Sequence, residues 1–191
     1  MKNSFAASRL VACAAVLATL GLAPAAQAAL VTFSAPNLTG AQETPPNASP
    51  ATGSALVTFD TTNNTVSYNV AFANLTTPIN DAHIHWGPPG VAGPVLLPLA
   101  LPPSPSNSGT LSGSLISSDL HPDPVHGIAS LQDVVNAGLG GNLYVNVHSI
   151  GLPSGEIRGQ LAAVPEPSTY ALLLLGLVGT AAVRIRGREK T

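Results

Sequence analysis

The chain holds a single cysteine, Cys13, in 191 residues. Everything after it is free of thiols. That excludes a disulfide framework, a CxxC redox motif, a cysteine nucleophile and a thiolate metal site in the body. Charge is scarce as well. Charged residues make up 8 % of the chain, against roughly 25 % in an average protein, too little to keep a disordered polyelectrolyte swollen. Long runs without glycine or proline are also few, since the chain contains 18 of each. A helical bundle or coiled coil is thereby disfavoured, and short strands joined by turns fit better. Between residues 29 and 164 there is no lysine and one arginine, Arg158, against seven acids. This anionic body repels phosphate backbones, so no nucleic-acid partner is expected. It also lacks a Walker lysine and a glycine-rich phosphate loop, and Gly53-Ser54 lacks the setting of a nucleophile elbow. The expectation is a protein that is not an enzyme.

Both ends read as addresses. Lys2 and Arg9 precede an apolar run from Leu10 to Leu22, Pro24 breaks it, and Ala26-Gln27-Ala28 offers a small-x-small cleavage site. Residues 1–28 are therefore expected to be a signal peptide removed by signal peptidase; an uncleaved anchor is the alternative, but the run is short for one. At the other end, Pro165-Glu166-Pro167 is followed by an apolar stretch and then Arg184, Arg186, Arg188 and Lys190. Ser168 to Ile185 would make roughly 27 Å of helix, against about 30 Å of bilayer hydrocarbon. The arginines are expected to stay cytoplasmic and the body outside. A plain single-pass anchor would look similar. Residues 165–191 nonetheless closely resemble the PEP-CTERM sorting signal of Gram-negative bacteria. The resemblance implies transient membrane anchoring, removal of the tail by an exosortase-type protease, and release to the cell surface or the exopolysaccharide matrix.

The middle, residues 29–164, alternates at period two. Strands are expected at Leu30–Ser34, Gly53–Asp60, Thr65–Ala73, Asp81–Trp86, Pro94–Leu99, Thr110–Ser117, Asn142–His148 and Gly155–Leu161. The Gly53–Asp60 and Thr65–Ala73 strands form a hairpin, with Ala55, Val57, Phe59, Val66, Tyr68, Val70 and Phe72 inward. The prolines of Pro94–Leu99 mark an edge strand. One helix is expected at Ser130–Ala137, capped by Ser130 and Asp133 and closed by Gly138. The last two strands form a hairpin around Gly151–Ser154. These elements describe an all-β domain: an antiparallel Ig-like or Greek-key sandwich or barrel of about eight strands with one short helix, plus terminal signal and transmembrane helices.

Five histidines lie in this body. His83 and His85 are two apart on one strand and share a face with Asp81. Tyr144, Asn146 and His148 face away from Leu143, Val145 and Val147. Glu156, Arg158 and Gln160 face away from Ile157. The simplest register pairs His148 with Glu156, Asn146 with Arg158 and Tyr144 with Gln160, all on the outer side of the shell. If the His83 strand lies beside this hairpin, three imidazoles converge on a site for copper or zinc, with Glu156 or Asp81 as a further ligand or orienting group. The competing reading is that His83 and His85 pin the Gly87–Gly93 turn to the strand. His121 and His126, with Asp119 and Asp123, read as a solvated proline-rich loop more readily than as a second site. Arg158 is expected to make a bidentate bond to a carboxylate or to backbone carbonyls.

The segments Leu38–Pro46, Gly53-Ser54-Ala55, Ala82-His83-Ile84-His85-Trp86-Gly87-Pro88-Pro89-Gly90, Asn142–His148 and Gly155–Leu161 resemble, in order, the CHRD domain, first described in chordin and found in many exported bacterial proteins. The resemblance implies an Ig-like or Greek-key β-fold across 29–164 and an extracellular interaction module; together with the sorting signal, the expected role is a binding or matrix component with an exopolysaccharide or surface partner. His83-Ile84-His85 is also similar to the copper pair of Cu/Zn superoxide dismutase, with His148 standing for a later copper ligand. A bridging histidine, a zinc loop and a disulfide are missing, so that similarity implies copper binding more than dismutase activity.

Overall fold

The computed structural model describes residues 30–165. The signal segment, the expected transmembrane helix and the sorting residues Glu166 and Pro167 lie outside the described residues. Among the described residues, no helix is long and apolar enough to cross a membrane.

Nine strands and one α-helix follow in chain order: β1 (Leu30–Thr39), β2 (Thr52–Asp60), β3 (Thr65–Ala73), β4 (Ile79–Trp86), β5 (Val95–Pro98), β6 (Gly109–Ile116), α1 (Leu131–Leu139), β7 (Leu143–Ser149), β8 (Leu152–Gln160) and β9 (Ala162–Ala163). They make one antiparallel sheet in the order β5-β4-β7-β8-β1-β2-β3-β6, with β9 beside β1. The sheet curls into a half-barrel. Its two ends face each other across a single core, in which Val57, Phe59, Val66 and Val70 belong to the same cluster as Ile84, Val145, Val147 and Ile157. Burying each such side chain stabilises the fold by roughly 1.5–3 kcal/mol. The fold is thus the all-β antiparallel one with a short helix that the alternation predicts. The β2–β3 hairpin pairs Asp60 with Thr65 across its turn, and proline-bearing β5 lies at an edge.

The structure departs from the sequence reading in three local places. β1 continues five residues beyond Ser34, through an irregularity between Ala35 and Leu38. The β7–β8 turn is tighter than expected: Ser149 pairs with Leu152, so Leu152, Pro153 and Ser154 belong to the strand. The helix is capped as expected at Ser130, whose Oγ accepts from the Asp133 N–H, but it runs past Gly138 to Leu139, with Gly140 as the cap. Gly138 is a packing residue. A Cβ there would lie 2.7 Å from the Phe33 ring and 2.9 Å from Leu143 Cδ1, so only glycine lets α1 approach β1 and β7 this closely.

Gly138→Ala is expected to lower the melting temperature. Overpacking of about 1–3 kcal/mol outweighs the ~1 kcal/mol that alanine gains in helix propensity. Gly140→Ala, whose Cβ would meet only the Asn142 amide at 3.2 Å among side chains, is expected to leave it unchanged. Thermal unfolding of the two variants checks both statements.

Candidate metal centre

β4 pairs with β7, placing Asp81 opposite His148, His83 opposite Asn146 and His85 opposite Tyr144. β8 continues the rows, with Arg158 opposite Asn146 and Gln160 opposite Tyr144. The polar residues of all three strands therefore share one face. The third expected pair, His148 with Glu156, is interrupted by a register shift between Val147 and Ser149.

This face is covered, which corrects the expectation that it looks outward. Arg158 is 2 % exposed and Glu156 0 %, and Asn146, His85 and His148 are also buried. The cover comes from the segment after β1 and the turn after β4. Asn47 Nδ2 donates to the Glu156 carbonyl at 3.1 Å. Arg158 donates from Nη1 to the Val91 carbonyl and from Nη2 to the Pro88 carbonyl, each at 2.9 Å. Of its two expected partner types, Arg158 takes backbone carbonyls. Its guanidinium also lies 3.5 Å from the centre of the Tyr144 ring, a cation–π contact, and Tyr144 in turn stacks on His85.

Three imidazoles meet under this cover. One ring nitrogen from each of His83, His85 and His148 lies within 4.8 Å of the others, and among the described residues no other group of three histidines or acids is so placed. The second nitrogen of each ring faces an oxygen. His85 Nδ1 is 3.0 Å from the Gly93 carbonyl, His148 Nδ1 is 3.0 Å from the Pro153 carbonyl, and His83 Nε2 is 2.9 Å from Asp81 Oδ1. Carbonyls and carboxylates only accept, so these nitrogens carry hydrogen. In the neutral rings the other nitrogens are then lone-pair donors. His85 Nε2 is buried with no hydrogen-bond partner, and His83 Nδ1 sits 3.2 Å from His148 Nε2. Two lone pairs at that distance repel unless a proton or a metal ion lies between them. Burial depresses all three pKa values. It takes His85 to about 4, and it lowers His148 and also His83, where Asp81 only partly offsets it. Neutral, oriented imidazoles are what a transition metal requires.

Asp81 is thus the orienting carboxylate, and Glu156 is not part of the cluster. Burial would raise the Glu156 pKa. The hydrogen bonds that Oε1 accepts from Ser49 Oγ at 2.6 Å and the Thr76 N–H at 2.7 Å outweigh it and hold the group below the usual carboxylate value. The pinning role considered for His83 and His85 applies to His85, which ties down Gly93. His121 and His126 are not members of the three-nitrogen group. The His121 N–H donates to Leu96, while His126 bonds Asp123 and stacks on Trp86.

Sequence reasoning gave no role to Glu43, which is buried beside Arg158 and Asn146. Burial raises its pKa to about 7 against the pull of Arg158. Glu43 Oε1 and Asn146 Oδ1 are both without a donor, and both press on Gly155, where a Cβ would sit within 2.8 Å of them at φ +131°. Only glycine fits there.

An antiparallel half-barrel with a buried polar layer and a three-histidine cluster is the class of protein these features define. The chain belongs to the CHRD domain family, which it matches over residues 33–161. Residues 163–188 match the PEP-CTERM protein-sorting motif. No match is found among the curated proteins or the solved structures. The sorting motif implies export, a membrane-anchored precursor and processing by an exosortase.

Two outcomes follow from the polar layer. Arg158→Lys keeps the charge but cannot hold two carbonyls and the Tyr144 face together. A loss of about 2–4 kcal/mol in urea unfolding is expected, given 1.5–3 kcal/mol for hydrogen bonds to charged groups. Glu43, with its folded pKa raised, favours the folded state below pH 4.5 and costs stability as pH rises toward about 7. His85, with its pKa lowered, acts oppositely, costing stability as pH falls from 6.5 toward about 4. Glu43→Gln removes the first effect alone. Its stability relative to wild type is expected to rise between pH 4.5 and 7.5 by on the order of 3 kcal/mol, read from denaturation at each pH.

Proposed function

We propose that this exported CHRD domain is a non-enzymatic metal-binding component of the cell surface or extracellular matrix, holding one copper or zinc ion through His83, His85 and His148. The observation that carries the reading is the arrangement of the three rings: each turns one N–H to a fixed oxygen, and a nitrogen from each lies within 4.8 Å of the others. Three imidazoles without a thiolate suit copper, zinc or nickel, and copper stands highest in the usual affinity order. His85 and His148 are buried and His83 is only partly exposed. An ion so enclosed is better suited to being held than to turning over a substrate. Asp81, half exposed beside His83, orients the ring nearest the surface.

Titration of the full chain with Cu²⁺ is expected to saturate at one equivalent, with nitrogen hyperfine structure in its electron paramagnetic resonance spectrum. His148→Ala should abolish this signal and His126→Ala should leave it intact. Asp81→Asn is expected to weaken binding about 10–100-fold, as loss of an orienting partner does. Absence of stoichiometric binding, or binding indifferent to His148→Ala, would refute the reading.

A further inference from the structure

The two ends of the described chain leave the domain at one pole. β9 runs antiparallel to β1, with Ala163 opposite Phe33 and Ala162 opposite Ser34, and the Val164 N–H donates to the Thr32 carbonyl. The chain is therefore held to the body up to the residue before Pro165, next to Leu30, where β1 begins. The same pole carries large exposed apolar side chains. Across the sheet, Leu30 pairs with Asp60, Asp60 with Thr65, and Thr65 with Ile116. Leu30, Ile116 and Val164 are each more than two-fifths exposed. Leu139, also exposed, flanks them at the end of α1, where Gly138 packs on Phe33. The one acid in the row, Asp60, is turned to its own hairpin, accepting from the Thr62 and Asn63 N–H groups.

The length of the tether decides what this pole meets. From Val164 to Ser168, the first residue of the expected membrane helix, is four residues, at most about 14 Å fully extended. The headgroup layer on one side of a bilayer is itself about 5–8 Å thick. A body anchored through that tail cannot lift its pole more than roughly 6–9 Å clear of the lipid surface.

We propose that the pole formed by Leu30, Ile116, Leu139 and Val164 is a membrane-contact surface that rests on the lipid headgroups while the precursor is anchored. It holds the histidine rows off the bilayer, since Gln160, in the row of His85, lies four residues before Val164 and Arg158, in the row of His83, six, roughly 13 and 20 Å of strand. The Ile150 turn, at the start of β8, is at the opposite end. The proposal rests on the anchored-precursor reading of the sorting motif and is independent of metal binding.

The test uses the chain from residue 29 on, after removal of the expected signal segment and so free of native cysteine, with a single fluorophore-labelled cysteine. The chain is inserted in phosphatidylcholine vesicles containing headgroup-nitroxide lipid. Labels at Ile116→Cys and Leu30→Cys are expected to be quenched several-fold more than a label at Ile150→Cys. All three positions are exposed, so labelling leaves the core alone. Equal quenching at the three positions, or stronger quenching at position 150, in chains that float with the vesicles would overturn the pole assignment and leave the anchor standing. Chains that fail to float would overturn the anchor and the pole with it.

Discussion

One guanidinium organises the polar half of this domain. Arg158 is the sole cation between residues 29 and 164, and it is almost fully buried. Removing such a charge from water costs several kcal/mol unless it is paired and hydrogen-bonded. Here two carbonyls of the Gly87–Gly93 turn, the face of Tyr144 and the field of Glu43 meet that requirement. The turn is held down because the charge needs its carbonyls. Once held, it presents the Gly93 carbonyl to His85. The orientation of the imidazole nearest Tyr144 is in this way a consequence of where one positive charge found its partners.

The sheet consequently has two buried faces of different chemistry. The inner face is a hydrocarbon core drawn from every long strand. The other, over β4, β7 and β8, is a polar layer in which satisfied and unsatisfied groups sit side by side. Glu156 Oε1 is tied by Ser49 and Thr76, whereas Glu156 Oε2, Ser149 Oγ, His85 Nε2, Glu43 Oε1 and Asn146 Oδ1 have no partner. Buried polar groups left this way are expensive. Only His85 Nε2 among them belongs to the three-ring cluster, where a bound ion rather than packing would account for it.

Much of this was legible in the amino-acid sequence. Alternation of Val66, Tyr68, Val70 and Phe72 marked β3 to the residue, because a half-buried strand records its burial every second position. The same rule put His83, His85 and Asp81 on one side and paired Asn146 with Arg158 in the right register. What alternation cannot register is a lid. The residues facing away from the core were read as solvent-facing, and it is the segment around Glu43 to Ser49, more than 100 positions from Glu156, together with the turn after β4, that makes that face an interior. The bulge after Val147 was equally hidden: between the pairs Val147–Ile157 and Ser149–Leu152, β7 advances two residues while β8 advances five, and alternation does not record where such a shift falls. It is this bulge that parts His148 from Glu156 and gives it the Pro153 carbonyl instead. Gly138 misled for a related reason: glycine near a helix end reads as a stop, and its use as a gap for the Phe33 ring is a property of a distant strand.

The closing strand adds hydrogen bonds but little else. Leu161 is the last residue seated in the core, and Ala162, Ala163 and Val164 are exposed. A cut beyond Val164 leaves all nine strands of the described body intact. The three histidines sit on β4 and β7, so β9, the strand nearest the sorting motif, is not one that positions them.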